Sequence, residues 1–322
     1  MTSPCSPSFC LRTLEAATSG GVGAQAEAGH FLERSLDSLS IENARRSVAE
    51  KLRQHGVEGA GLDARLLVGH ALGLDHTALA AQAHRRLAPH EAETIAAFAT
   101  RRLAHEPVAR ILERKEFWGL SFKLSPAIFV PRPETETVVA ATLAALPRKN
   151  AQSRTLRIAD LGTGSGAILL AVLAALGREA FGIGTDISPA ALDCARDNAT
   201  AQGAQASFIA CDYGAAIGGP VDVLISNPPY IPSQNIAALE AEVRAFDPRH
   251  ALDGGPDGLD GYRAIAADAG RLLAREGILV VELGCGQAAA VISILAAGGL
   301  ASSAPQYDLL GIPRALVARR LP

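Results

Sequence analysis

The sequence predicts an α/β protein: a mostly parallel, doubly wound sheet of seven strands with an antiparallel final strand, preceded by a small helical domain and a connecting β-hairpin. Three observations carry this expectation. Apolar strand-like runs alternate with helix-like stretches from Thr155 onward, helix-period segments fill the chain from Ser40 to about Glu106, and a glycine-rich turn separates the first strand of the alternating part from its helix. Alternation of this kind implies parallel strands joined by right-handed crossovers.

A chain of 322 residues exceeds what one hydrophobic core usually organises, so a main domain and a smaller one are expected. With 48% hydrophobic and 20% charged residues the composition is that of a globular protein, and a net charge of −3 gives no global attraction to nucleic acid. The five cysteines (Cys5, Cys10, Cys194, Cys211 and Cys285) show no Cys-x-x-Cys spacing, and no His-Glu-x-x-His occurs. Neither a metal site nor a disulfide framework is therefore indicated, and reduced thiols in a cytoplasmic protein are the simplest account. No apolar stretch approaches the roughly 20 residues that span a bilayer.

Residues 1–35 mix Ser, Gly, Ala and Thr without periodicity and read as a disordered extension; Glu15, Glu27 and Glu33 argue against a transit peptide. Residues 36–108 form the expected helical domain. "SIENARRSVAEKLRQHG" offers Ser40 as N-cap, sets Ile41, Ala44, Val48 and Leu52 on one face, and stops at Gly56. "PHEAETIAAFATRRLAHE" opens with Pro89 and acidic residues in its first turn. His70, His76, His84 and His90 fit helical surface positions. Residues 109–130, with Phe117, Trp118, Phe122, Leu124, Ile128 and Val130, read as short strands with Gly119 near a turn.

The alternating domain covers 131–322. Its candidate strands are "LRIADLG", "FGIGTDIS", "ASFIACD", "VDVLISN" and "GILVVELG", followed by "APQYDLL" and "GIPRALVARR" across a tight Gly311 turn. In open α/β sheets ligands bind beyond the carboxyl ends of the strands. The first such end reads "ADLGTGSGAILL", where Gly162, Gly164 and Gly166 let the backbone turn tightly against a ligand, with Thr163 and Ser165 between them. Gly162, Gly164 and Ala167 also satisfy a dinucleotide fingerprint, with Asp186 about 20 residues on, so a dehydrogenase has to be weighed. Asp160 decides against it. A carboxylate beside the loop repels a pyrophosphate and suits a cation, and S-adenosylmethionine carries an ammonium and a sulfonium but no phosphate. Asp186, with Ile187 beside it, can accept from both ribose hydroxyls. Asp212 is placed for the adenine amino group, and Tyr213 for stacking.

After the fourth strand comes "SNPPY". Its prolines cannot donate hydrogen bonds and hold φ near −65°, which leaves a stiff corner rich in acceptors, followed by a ring at Tyr230. Alone, this tetrapeptide is as much a turn as a binding site.

Together, Asp160 with "GTGSG", Asp186, Asp212 and "NPPY" resemble class I, Rossmann-like S-adenosylmethionine-dependent methyltransferases acting on planar nitrogens. "EFWGLSF" followed by "PRPETE", "VRAFDPRHALDGGPDGLDGYRAI" and "DLLGIPRALVARR" narrow the resemblance to the peptide chain release factor glutamine methyltransferases, from about residue 40 to the C-terminus. That family usually shows Tyr where Arg110 stands and Gly where Glu113 stands. The resemblance implies a helical domain that helps hold a class 1 release factor, and methylation of the glutamine nitrogen (N5) in its Gly-Gly-Gln loop, in translation termination. It implies a cytoplasmic enzyme with S-adenosylmethionine as methyl donor and S-adenosylhomocysteine as product, and no metal. A monomer is expected, without direct nucleic-acid or membrane partners.

On this reading Asn227 and the Pro228 carbonyl accept the two amide N–H groups of the glutamine, Asn227 also borders the methyl donor, the planar amide lies on the face of Tyr230, and Pro229 lines the substrate site. Phe129 and Arg132 line the substrate side, with an ion pair from Arg132 to Glu134 or Glu136 as an equal alternative. Glu282 supports the corner rather than reacts. A DNA adenine N6-methyltransferase is the alternative, because adenine presents the same planar amino group; a methyl-donor-binding protein without activity is the third reading.

Overall fold

The computed structural model describes residues 36–146 and 155–321; the expected N-terminal extension, with Cys5 and Cys10, lies outside them. The chain divides into two compact units between Glu113 and Arg114, so the hairpin expected to join two domains is part of the second unit.

In the first unit, helix α1 (Ile41–Gln54) starts where the Ser40 hydroxyl accepts from the Asn43 N–H at 3.3 Å, satisfying one of the four orphan donors of a helix start. Its face Ile41, Ala44, Val48 and Leu52 is buried. Helix α2 (Ala60–Leu72) runs between two left-handed glycines, Gly59 and Gly73. After the short α3 (His76–Ala81), α4 (Pro89–Leu103) begins with proline, and the Glu91 carboxylate takes the Ala88 N–H at 2.8 Å. Their apolar faces meet in one core around Leu52, Val68 and Ile95, and Arg102 and Asp63 form a nearly buried ion pair across it at 2.7 Å. The unit ends with one turn of helix, α5 (Val108–Ile111), and with Glu113 at φ +52°. That left-handed conformation costs a non-glycine residue about 1–2 kcal/mol, which explains why a glycine is usual there. Glu113→Gly is therefore expected to stabilise the protein slightly, by no more than about 1 kcal/mol once the extra freedom of the unfolded glycine is counted; a denaturant titration measures it.

The second unit opens with strands β1 (Arg114–Phe117) and β2 (Leu120–Lys123), antiparallel. Trp118 and Gly119 join them with φ +53° and +68°, the signature of a type I′ turn that matches hairpin twist. Helix α6 (Glu136–Ala145) is followed by the alternating elements β3 (Leu156–Leu161), α7 (Ala167–Leu176), β4 (Ala180–Asp186), α8 (Pro189–Ala201), β5 (Ala206–Ala210) and β6 (Val221–Ser226). Then come α9 (Ala241–Phe246), α10 (Asp260–Leu272), β7 (Leu273–Glu282), α11 (Ala288–Ala297), β8 (Leu300–Ser302), β9 (Gln306–Tyr307) and β10 (Pro313–Arg320).

The strand order is β5-β4-β3-β6-β7-β10-β8, with β9 paired to the start of β10. All neighbours up to β7 are parallel, and β10 runs antiparallel between β7 and β8. The expected antiparallel end is present, but the outermost strand is β8, a three-residue segment after Gly298-Gly299 with no alternation to reveal it; Gln306–Tyr307 pairs only with the entry to β10. Helices α6, α7 and α8 pack on one sheet face and α10 and α11 on the other, around two separate cores. The strand order reverses direction at β3 and β6. Their carboxyl ends lie side by side, Leu161 level with Ser226, and a crevice at such a switch point is where this class of fold holds ligands.

Candidate active site

Sequence and topology bring the glycine turn and the proline corner together because they leave adjacent strands at the same level. Ser226, fully buried, donates to the Leu161 carbonyl at 2.7 Å and ties the two strand ends. The turn itself has left-handed φ at Gly162, Gly164 and Gly166, and a Cβ at Gly162 or Gly164 would meet no atom within 4 Å beyond its chain neighbours. The space in front of the turn is open. Gly162 and Thr163 donate to the Thr185 carbonyl of β4, and the Ser165 carbonyl accepts from Asn198, so the turn is held from both sides.

Asp160 is 1% exposed, and Thr163 donates to its Oδ2 at 2.7 Å. Its Oδ1 has no well-aligned hydrogen-bond partner among the described residues, with the Leu169 N–H near enough to act on the carboxylate. Burial, reinforced by the nearby charge of Asp186, pushes its pKa up to about 7 against the pull of Thr163. A buried carboxyl with one spare oxygen beside an open glycine turn fits a cationic group and would stabilise it by ionising. Asp186 at the end of β4 accepts from the Gly164 N–H at 3.0 Å and the Ser188 N–H at 2.9 Å, one on each oxygen, and keeps further lone pairs. Ile187 beside it is 68% exposed, an apolar surface at the mouth of the crevice. These residues fit an adenosine-type ligand bearing a positive charge.

Asp212 is exposed after β5, and Tyr213, at φ +40°, packs half-buried. A Cβ on Gly261 of α10 would come within 2.6 Å of the Tyr213 hydroxyl and 2.8 Å of Pro228 Cβ, so the tyrosine reaches the back of the proline corner. Burial first, then the charges of Asp212, Asp260 and Asp186, push its pKa up to about 12.

At the corner Asn227 is half-buried, and neither its side-chain amide nor the Pro228 carbonyl bonds to any described residue. The segment after it is clamped. Ile231 exchanges backbone bonds with Leu252 and Gly254 at 3.0 and 2.9 Å, Ser233 donates to the Gly255 carbonyl, and Gln287 Nε2 donates to the Tyr230 carbonyl at 2.9 Å. Gly254 lies so close that a Cβ there would stand 2.7 Å from the Pro229 carbonyl and 2.9 Å from Tyr230 Cα. Both neighbours are backbone and cannot turn away, so Gly254→Ala is expected to cost about 1–3 kcal/mol and to displace the corner, read as a lower Tm with a fall in turnover.

Tyr230 donates through its hydroxyl to Glu282 Oε1 at 3.3 Å. Glu282 is 1% exposed; the Thr135 side chain faces it from the "PETE" turn, and Arg314 from β10 lies close enough to act on its charge. Burial pushes its pKa up to about 7, opposed by Thr135, Arg314 and Tyr230 and aided by Glu134. Asp160 and Glu282 thus both bind protons in the folded state above their ordinary values of 3.8 and 4.5. Between those values and about pH 7 the folded state holds more protons than the unfolded one, so ligand-free stability falls as pH rises through that window. Glu282→Gln, which removes the charge but keeps the shape, is expected to match the wild type in Tm near pH 4, below the ordinary value of 4.5, and to exceed it at pH 8.

Arg132 stacks over the Phe129 ring at 5.0 Å and forms an ion pair with Asp247 at 2.8 Å. The anticipated partners Glu134 and Glu136 are not used: Pro133 turns the chain into a short 3-10 helix, and the Glu136 carboxylate takes the Trp118 N–H at 2.8 Å instead. Asp247, Gln287, Asn198, Thr135 and Arg314 are contributors that the sequence did not single out. Thr135, Asp247 and Arg314 lie within the motifs that carry the family resemblance; nothing local marks Gln287 and Asn198.

Residues 43–112 match the PrmC N-terminal domain, and residues 135–245 the methyltransferase small domain. The release factor glutamine methyltransferase of Bradyrhizobium diazoefficiens is 54% identical over 88% of this chain and 96% of its own length. That of Rhodospirillum rubrum is 48% identical over 84% of this chain and 82% of its own. Among solved structures, the hMettl16 catalytic domain superposes with a TM-score of 0.50 at 16% identity, covering 69% of this chain and 80% of that one, a likeness of fold.

Proposed function

The chain belongs to the release factor glutamine methyltransferase family, and from that premise we propose that it transfers a methyl group from S-adenosylmethionine to the side-chain nitrogen of the Gly-Gly-Gln glutamine in a class 1 peptide chain release factor. The observation that carries the reading to particular residues is the pair of free acceptors at the corner, the Asn227 side-chain oxygen and the Pro228 carbonyl, next to the open glycine turn.

A glutamine amide is a poor nucleophile because its lone pair is delocalised into the carbonyl. Its two N–H groups demand acceptors, and Asn227 and Pro228 supply them on a corner that two prolines make rigid. The nitrogen is then held with its free face toward the crevice, and the positive charge it gains on methylation is stabilised by the same two oxygens. Tyr230, tethered by Glu282, sets the plane in which the amide lies. Bound S-adenosylmethionine supplies an electrophilic methyl group on a sulfonium. Asp160 neutralises the donor's ammonium, while Asp186, Ile187, Asp212 and Tyr213 receive its ribose and adenine. Methyl arrives at nitrogen as the carbon–sulfur bond breaks, and the nitrogen, now acidic, loses one proton to solvent; no general base is needed. Orientation of both reactants supplies much of the acceleration.

The family relationship favours this substrate over DNA adenine. The helical unit is assigned to holding the release factor, and the enzyme to the cytoplasm, acting as a monomer; among the described residues no helix is long and apolar enough to cross a membrane. The test is methyl transfer from labelled S-adenosylmethionine to unmethylated release factor and, separately, to duplex DNA. Label mapped by mass spectrometry to the Gly-Gly-Gln glutamine is expected. Label on DNA alone would overturn the assignment.

A further inference from the structure

We propose that the turn entering β10 is a docking element for the protein substrate: Leu309 and Leu310 form an apolar knob that seats on an apolar surface of the release factor flanking its glutamine loop. The inference rests on the release-factor reading above.

Leu309 is 106% exposed, Leu310 76% and Tyr307 61%, within a stretch of four residues. Large apolar side chains clustered in this way mark interaction sites more than solvated loops. The turn that displays them is also built rigid. The Asp308 side chain is 6% exposed; its Oδ1 accepts from the N–H groups of Leu310 and Ile312, each at 2.9 Å, and its Oδ2 from Arg314 Nε at 3.3 Å. The Gly311 N–H closes the turn on the Asp308 carbonyl at 3.0 Å, and Gly311 takes φ +76°. Those N–H groups and Arg314 outweigh the burial of Asp308 and hold its carboxyl below its ordinary pKa, so the turn stays charged and locked at neutral pH. A preorganised knob loses little entropy on binding.

Topology places this knob on the substrate side. Because β10 runs antiparallel, its entry end lies at the same sheet edge as the carboxyl ends of β3, β6 and β7, with Ala315 level with Glu282. Arg314, which locks the turn, also accepts a backbone bond from Leu283 at 2.8 Å and faces the Glu282–Tyr230 pair. The docking turn and the amide corner therefore share one rigid support. An amide seated on two acceptors contributes too little to hold a whole protein, so a substrate of that size needs contacts beyond the corner. A second copy of this chain fits less well. Three side chains expose on the order of 400 Å², about half of what each partner buries in a standard interface, whereas a supplementary contact beside an occupied active site needs no more.

The test compares wild type with Leu309→Ser/Leu310→Ser and Leu309→Met/Leu310→Met, using intact unmethylated release factor. The serine pair is expected to raise KM for the release factor about tenfold or more, with the Kd for S-adenosylmethionine and Tm unchanged; the methionine pair, still apolar, is expected to stay near wild type. Wild-type KM in the serine pair overturns the docking role while leaving the function intact. A wild type that sedimented as a dimer dissolved by the serine pair would also overturn it, in favour of self-association. No label on the release factor with the wild type itself would bring down both readings.

Discussion

Replacing Asn227 by alanine is expected to lower turnover by about 100- to 1,000-fold, the usual cost of deleting one preorganised group that stabilises charge developing in a transition state. The substitution removes an acceptor whose oxygen makes no other bond in the described structure, so nothing else is undone and Tm should hold. Affinity for S-adenosylmethionine should fall far less, because Asp160, Asp186 and the glycine turn remain. The split is read by single-turnover kinetics beside calorimetric binding of the donor. Pro228→Ala offers a partner experiment: it retains the carbonyl but loosens the corner, so a smaller loss is expected. Turnover near wild type in Asn227→Ala would mean that the amide is held elsewhere.

Asp160→Asn is expected to weaken S-adenosylmethionine binding by about 10- to 100-fold, the worth of a charge-assisted contact replaced by a neutral one. The wild type should also show a pH dependence that the variant lacks. In the ligand-free protein burial raises the Asp160 pKa to about 7, whereas a bound ammonium favours the ionised form and draws it down. The complex therefore holds fewer protons than the free protein. Affinity should rise with pH through about 7 and weaken below it, by up to about tenfold per pH unit. Calorimetry at pH 6 and pH 8, in buffers of different ionisation heat, measures both the affinity and the proton released. Equal Kd values for wild type and variant at pH 8 would remove Asp160 from the donor site. The variant should at the same time be more stable than wild type at pH 8 without ligand, since it no longer buries a charge, and that separates a binding defect from a folding one.

Both predictions concern residues that the sequence itself makes legible, and the reason is local. A glycine turn is written in three closely spaced left-handed positions, and a proline corner in two fixed φ values. Neither needs a distant partner to exist. The helix starts at Ser40 and Pro89 are legible on the same ground. Glu113 lies between the two cases. Its departure from the family's usual glycine is readable in the sequence, but the left-handed φ that makes it costly is visible only in the backbone.

Long-range pairing is not legible in the same way. The sequence offers Arg132 carboxylates two and four positions away, while its actual partner Asp247 lies 115 residues on. The support of Tyr230 comes from Glu282 on β7, Gln287 before α11 and the loop carrying Gly254, with Thr135 and Arg314 bearing on the same buried carboxyl. Strand β8 escapes a reading by pattern because three residues carry no period.

By itself the sequence determined the alternation of strand and helix, the glycine turn with a carboxylate beside it and the stiff proline corner, since each depends on neighbouring residues and on backbone stereochemistry. Only the tertiary structure decided that turn and corner meet at the β3–β6 switch point, that Glu282 stands buried behind Tyr230, and that two leucines are held out at the same sheet edge. Those facts follow from strand order and burial, which bring together residues that no spacing along the chain connects.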